Sequence, residues 1–375
     1  MSSKPIVSPE DQSATFIELF FDLVFVFSVT QVVGLFHGEL NWTVVGQAIL
    51  VFWLVWWAWT QFTWALNAAD TTHHLVELGT LVATAVAFFM AVALPDAFQG
   101  RGLWFAVPYV LGRVIGLTLY AWVASADPSQ RAAVRNFAVV SLGGLAAVLI
   151  GGFMGGAMQY WFWGLAILLD IIAAAVGGQA EGWNLHPEHF GERHGLFVII
   201  ALGETLIVAA GGVTGVPWTG SLIVIAVLAV AITCGLWWSY FTRAKPELDR
   251  ALESSHGAEQ STMARDVFSL IHFPMLCGVI AYAVAIEEAI AHPAEPLQFA
   301  GRIALAAGLV LFVGGMAVAI WRATRRLFLP RLILSAGTAI LVVAVTGVAP
   351  LLTLAIAFAG ILVIVALEQR AGSPI

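Results

Sequence analysis

Charge is what this chain is shortest of. Only 10% of its 375 residues are Asp, Glu, Lys or Arg, against about 25% in an ordinary soluble domain. Hydrophobic residues make up 60% and the mean hydropathy is +0.92. Such a chain cannot clothe a water-soluble surface, so length-based arithmetic for soluble domains does not apply. Lys and Arg together number 16 against 23 Asp and Glu, a net charge of −7. That balance leaves no basic face for nucleic acid. Cysteine is nearly missing: Cys234 and Cys277 lie in apolar helical stretches and read as small buried apolar residues, not as a disulfide or a metal site. A soluble domain is also missing, the longest polar stretch being about 242–263. Glycine pairs are present at Gly151-Gly152, Gly155-Gly156 and Gly177-Gly178. They lack the strand, helix and lysine of a phosphate loop, so they read as loop ends and close helix contacts. No cofactor is implied.

What the chain has instead is apolar runs long enough to cross a bilayer. Twelve can be marked, at 13–36, 42–66, 74–94, 102–125, 133–153, 159–178, 194–213, 219–241, 264–290, 298–321, 329–347 and 349–367. Only helices or closed barrels satisfy the backbone in lipid, and runs of this length predict helices. The last two meet at Gly347-Val-Ala-Pro350, where a tight hairpin or a re-entrant pair would reduce the crossings to ten or eleven. Ser8-Pro9-Glu10-Asp11 predicts a helix start, with a capping Ser, Pro in the first turn and acids at the positive end. Lys4, with no small-residue cleavage site after the first apolar run, predicts that this run is kept rather than removed as a signal peptide.

With the N-terminus inside, the cytoplasmic side receives Lys4, Arg131, Arg135, Arg193, Arg243, Lys245, Arg250, Arg265, Arg322, Arg325, Arg326, Arg331 and Arg370, thirteen of the sixteen cations. Arg101 and Arg302 fall outside, and Arg113 lies within a helix. This asymmetry predicts N-in, C-in topology. The two halves echo one another: Val55-Trp-Trp-Ala-Trp59 resembles Leu236-Trp-Trp-Ser-Tyr240, 181 positions later. The expected architecture is an all-α polytopic membrane protein of about twelve helices, built as two parallel six-helix repeats. Its parts would be a cytoplasmic segment 1–12, a first repeat 13–178, a connector 179–193, a second repeat 194–367 and a cytoplasmic tail 368–375.

The sparse charges are informative because a charge at bilayer depth costs about 2.5–3.5 kcal/mol on insertion scales and usually faces a cavity or a partner. Asp22 stands in Glu18-Leu-Phe-Phe-Asp22-Leu-Val-Phe-Val-Phe27, and Glu204, 182 positions on, stands in an equally apolar run. Glu18 and Asp22 share a helix face, and two carboxylates so close in low dielectric do not both ionise easily. The bland alternative takes Glu18 to the cytoplasmic interface and Asp22 to a bond with a neighbouring helix. Asp170 is similarly deep, and a pair of Arg113 with Asp170 or with Asp22 is the structural alternative to a functional Arg113. One Arg cannot balance Asp22, Asp170 and Glu204, so the expected surplus is acidic and suits protons or cations.

His186-Pro-Glu188-His189-Phe-Gly-Glu192-Arg193-His194 is expected at the cytoplasmic mouth of the seventh helix. His189, Glu192, Arg193 and His194 are candidate gate residues there, since His titrates near neutrality; Glu192 and Arg193 equally fit an interfacial salt bridge. His189 and Glu192 have metal-site spacing but too few companions for a metal site. His73, His74 and Glu77 read as a helix cap, and His272 as an intramembrane titratable group. Trp53, Trp56, Trp57, Trp59, Trp64, Trp237 and Trp238 read as an aromatic belt before a cation–π cage.

Glu18-Leu-Phe-Phe-Asp-Leu-Val-Phe-Val-Phe-Ser-Val-Thr-Gln31 and His189-Phe-Gly-Glu-Arg-His-Gly-Leu-Phe-Val-Ile-Ile-Ala-Leu-Gly-Glu204 resemble the two signatures of the bacterial low temperature requirement A family. The resemblance implies a multi-pass protein of the bacterial inner membrane and weight on Glu18, Asp22, Glu192, Arg193 and Glu204. It supplies no substrate.

Three functions follow as expectations. The first is a transporter or channel for protons, cations or a proton-coupled solute, with Asp22 and Glu204 as paired sites, Glu18 as the acid through which they are reached, Asp170 beside them, and His272 and Arg113 modulating protonation. The second is an intramembrane enzyme acting on a lipid at the cytoplasmic face, for which neither an Asp-rich metal motif nor a nucleophile with a base is evident. The third is a sensor or assembly protein with a closed polar network. Expected partners are the lipid bilayer and a proton or small cation, with homo-oligomerisation left open.

Overall fold

A computed structural model describes residues 6–9, 12–37, 40–126, 130–178, 183, 185–213 and 217–370. They form helices α1 (Phe16–Gly34), α2 (Trp42–Ala68), α3 (His74–Ala93), α4 (Gly102–Ala126), α5 (Arg131–Met154), α6 (Gly156–Gly178), α7 (Pro187–Val213), α8 (Gly220–Ser239), α9 (Lys245–Glu253), α10 (Gly257–Met263), α11 (His272–Ala291), α12 (Phe299–Leu309), α13 (Gly315–Thr324), α14 (Leu329–Ala344) and α15 (Pro350–Arg370). Short π-helical segments at Tyr240–Ala244, Ala264–Ile271 and Val310–Gly314 join some of these into longer rods. Among the described residues, eleven continuous helical stretches are long and apolar enough to span a bilayer. Leu329–Ala344, of 16 residues, is about 24 Å long at 1.5 Å per residue and falls short of a ~30 Å core. Large side chains such as Phe16, Trp42, Phe153 and Trp161 are outward-facing, as lipid requires. The chain is thus an all-α polytopic membrane protein.

The helices belong to two compact units. The first holds residues 1–35, 42–197 and 252–269. Within it α4 and α5 meet at backbone contact, because Gly102 and Gly152 face each other. A Cβ on Gly152 would lie 2.8 Å from the Ala106 Cβ and 2.9 Å from the Gly102 carbonyl oxygen. Trp163 fills the neighbouring space, its indole N–H donating to the Val148 carbonyl at 3.1 Å. The second unit holds 36–41, 198–251 and 270–375. There α11 and α12 approach in the same way, a Cβ on Gly278 falling 3.0 Å from the Gly308 carbonyl oxygen.

Several expectations change. The first helix begins at Phe16, not at Ser8. Residues 6–8 pair with the end of α2 instead, Ser8 N donating to Ala68 O at 3.0 Å and Asp70 N to Ile6 O at 2.7 Å, while Glu10 and Asp11 lie outside the described residues. The helix start is a capping box in which Glu18 reaches back to the Thr15 backbone N–H at 2.9 Å. The seventh span starts at Pro187, two turns before the expected position, because the polar run after it is helical. Trp53, Trp56, Trp57 and Trp59 form no interfacial belt; they are buried in the first unit. Trp237 and Trp238 remain exposed as an interface would have them. Cys234 is exposed and Cys277 half-buried, so neither is a core residue.

Candidate functional site

The early start of α7 creates the main polar centre. His189 and Arg193 become an i, i+4 pair on α7, as Glu18 and Asp22 are on α1, and such pairs lie on one helix face. The four side chains meet inside the first unit with no exposure. Arg193 Nη1 donates to Glu18 Oε1 at 2.9 Å, and its Nε to Asp22 Oδ2 at 3.3 Å. Its Nη2 holds Asp22 Oδ1 as well. Trp59, from α2, donates its indole N–H to Asp22 Oδ1 at 2.7 Å and lays its ring 5.8 Å from the Arg193 guanidinium carbon. His189 Nε2 stands 3.0 Å from Glu18 Oε1. Among the described residues, Glu18 therefore meets four donors (Thr15 N, Thr15 Oγ1, Arg193 Nη1 and His189 Nε2) and Asp22 meets three. Each of the four carboxylate oxygens thus faces donors, the pattern of acceptor-only groups.

The state of His189 follows from Asn67. The Asn67 amide is locked on the backbone of His186, its Oδ1 accepting the N–H at 2.9 Å and its Nδ2 donating to the carbonyl at 3.0 Å. The same Nδ2 lies 3.1 Å from His189 Nδ1, and Gln12 Nε2 lies 3.4 Å from it. Nδ1 faces two amide donors and must accept. The hydrogen then sits on Nε2 and is donated to Glu18, so the imidazole is neutral. Two carboxylates, one guanidinium and a neutral imidazole leave the cluster one negative charge in excess. Residues 12–15 cover it: Gln12 also donates to Leu66 O at 3.1 Å, and Ala14 N donates to Glu192 Oε2 at 3.0 Å.

A second buried pair stands apart from the first. Arg113 on α4 contacts Asp170 Oδ1 on α6 through Nη1 and Nη2, at 3.3 and 3.2 Å. Tyr109 Oη receives Nη1 at 2.6 Å, and Gln61 both accepts from Arg113 Nε and donates to its carbonyl. The indoles of Trp53 and Trp57 flank Asp170. Of the two pairings open from the sequence, Arg113 thus takes Asp170 and not Asp22.

The remaining candidates are scattered. His194 is buried, its Nδ1 on the Phe190 carbonyl at 2.9 Å, in a nest of aromatic rings that includes Trp59 and Phe268. Glu192 is half-buried and does not bridge to Arg193. His73 caps α3, accepting from Leu75 N at 3.3 Å. In the second unit Glu204 is half-buried, and His272 Nε2 is 2.8 Å from the Tyr240 hydroxyl. That unit carries an ion pair that the sequence reading placed at the cytoplasmic surface: Arg331 Nε donates to Glu368 Oε1 at 2.6 Å, and Ser239 Oγ to Glu368 Oε2 at 3.0 Å. Arg113 is therefore not the only buried arginine among the described residues. Arg193 and Arg331 are as deeply buried, and the acidic surplus at Asp22 narrows to a single charge. Trp59, Asn67, Gln12 and Gln61 were not singled out for this role. A polar Asn67 near the end of an otherwise apolar run was the one available signal.

The sequence profile of the bacterial low temperature requirement A protein (LtrA) matches residues 13–367. An uncharacterized protein of Rhizobium meliloti (strain 1021) is 28% identical over 323 residues, covering 82% of this chain and 76% of that one. Glu18, Asp22, His189 and Arg193 fall inside the matched span, which omits only the last three residues of α15 among the described helices; Gln12 and Glu368 lie just outside it. The chain belongs to the bacterial low temperature requirement A family, as a multi-pass integral membrane protein.

Proposed function

We propose that this protein is a proton-linked transporter of the bacterial plasma membrane, and that the Glu18–Asp22–Arg193–His189 cluster holds its coupling proton. The observation that supports this is the charge count. A buried cluster with one surplus negative charge takes up a single proton with gain, and its carboxylate oxygens are already engaged by donors, which leaves a larger cation no ligands. The group that can accept the proton is His189 Nδ1, and doing so requires Asn67 and Gln12 to turn away. The charge change is thereby tied to movement of residues 12–15 and of the start of α7, the kind of two-state coupling that transport needs. Groups facing His189 are Glu18 and, through Arg193, Asp22 from α1, the Asn67 amide from α2 and the Gln12 amide from the covering segment. Glu204, half-buried in the second unit, is a second candidate carboxylate.

The test is His189→Gln in proteoliposomes loaded with a pH dye. Glutamine can donate to Glu18 and accept from Asn67 but cannot take up a proton. The expected result is a folded protein whose proton flux falls at least about tenfold, the usual scale for losing a positioned proton-transfer group. Flux equal to that of the unmodified protein would refute the assignment.

One observation favours a second reading, a membrane sensor whose state follows pH: all four side chains are sealed. Its mark would be no proton flux in the unmodified protein, together with a pH-dependent stability that His189→Gln abolishes.

A further inference from the structure

Away from the acid cluster, the first unit contains an open slot with a largely aromatic lining. One wall is a single stripe of α2: Trp57, Thr60, Gln61 and Trp64 recur at i, i+3, i+4 and i+7, which is one helix face. Tyr120 and Phe137 contribute from α4 and α5, and Ala174 and Gly177 from α6. Trp183 closes the aromatic wall, its ring centroid 5.3 Å from those of both Trp64 and Tyr120. Its indole donates to Gly177 O at 2.8 Å. Glycine leaves room there, since a Cβ at 177 would press to 3.1 Å from Trp183 Cζ2.

Two further observations say what the slot accepts. The Thr60 hydroxyl lines it, is buried, and has no hydrogen-bond partner among the described residues; such a group is costly unless something supplies one. Arg265 stands at the rim, its side chain 20% exposed. Its Nε and Nη2 both donate to Asp266 Oδ1, at 2.8 and 2.6 Å, leaving Nη1 for another acceptor. The slot lies towards the ends of α4 and α6 and the start of α5, and helix ends are the level at which amphiphile headgroups sit. A guanidinium at the mouth repels a quaternary ammonium that the aromatic wall alone would welcome.

We propose that this slot binds a single-chain carboxylate amphiphile of the fatty-acid class, the carboxylate on Arg265 and the apolar chain between Trp57, Tyr120, Phe137 and Trp183. This goes beyond the proton-linked reading and does not rest on it. Gln61 lies in the slot wall and also holds Arg113, so an occupant touches the support of the Arg113–Asp170 pair.

The test uses the full-length protein in phosphatidylcholine nanodiscs with a diazirine-bearing long-chain fatty acid, the labelled residues being mapped by mass spectrometry. Label should concentrate on Tyr120, Phe137 and Trp183. Unlabelled hexadecanoate should displace it at least about tenfold better than hexadecylamine, because a charge-assisted hydrogen bond is worth a decade or more in affinity. Arg265→Gln should erase that preference, and Ala174→Phe, which fills the slot, should remove the label. If Ala174→Phe does not fold, Arg265→Gln alone decides. Label spread evenly over lipid-facing residues, or equal displacement by acid and amine, would overturn the proposal.

Discussion

Removing the guanidinium of Arg193 should harm this protein far more than removing the carboxylate it holds. Arg193 supplies three of the donors around Glu18 and Asp22. Arg193→Gln strips the only permanent positive charge among the four side chains and leaves two buried carboxylates facing one another. Breaking a buried pair in this way costs about 3–5 kcal/mol. Asp22→Asn acts oppositely: it deletes the surplus charge and keeps an oxygen that accepts from Trp59 and Arg193, so its net cost should be near one ordinary hydrogen bond, ~1 kcal/mol. The double variant should recover roughly 2 kcal/mol of the Arg193→Gln loss, within the range for residues in direct contact. The assay is a double-mutant cycle on the detergent-solubilised protein, unfolded by titration with SDS and followed by tryptophan fluorescence. Additive losses to within ~0.5 kcal/mol, or an Asp22→Asn loss as large as that of Arg193→Gln, would show that the surplus charge is not there.

Three other outcomes follow. Arg113→Gln and Asp170→Asn should each cost about 3–5 kcal/mol, because either leaves the opposite charge buried without its partner; the same unfolding titration measures both. Gly152→Val should separate α4 from α5, where a Cβ has only 2.8 Å to the Ala106 Cβ, at about 1–3 kcal/mol for the overpacking and with lower yield of monodisperse protein on size exclusion. Asn67→Leu frees His189 Nδ1 from one amide donor and should alter the pH dependence of flux or stability, whereas Asn41→Leu, remote in the chain from the cluster, should not.

Much of the architecture was legible because the bilayer is a strict solvent. Runs such as 42–66 and 102–125 can satisfy their backbones only as helices, and they are helices at nearly those positions. The failures occurred where polarity and helicity coexist. His186 to Arg193 reads as a connector by hydropathy, yet it forms the first two turns of a spanning helix, and only that extension brings His189 and Arg193 onto α1. Asp22 and Glu18 stood out from the sequence, since buried charge is costly and rare. Their partner did not, because a cation 171 positions from Asp22 is counted with the loops until the helix register is known. Arg331, counted with the cytoplasmic cations, gave no sign of its burial against Glu368, and Asn67 had no cost signal of its own, a neutral amide being cheap near a helix end.

The π-helical turns at 240–244, 264–271 and 310–314 give long rods a means of adjustment that ordinary spans lack. Each wide turn holds a spare residue, and passing it one step along turns the residue it crosses by about 100° and leaves the helix beyond in place, since the α-helix makes 3.6 residues per turn. Tyr240 opens one such turn, and His272 follows directly after another. The hydroxyl–imidazole bond between them is therefore pinned at two seams where twist can be taken up without unwinding a helix.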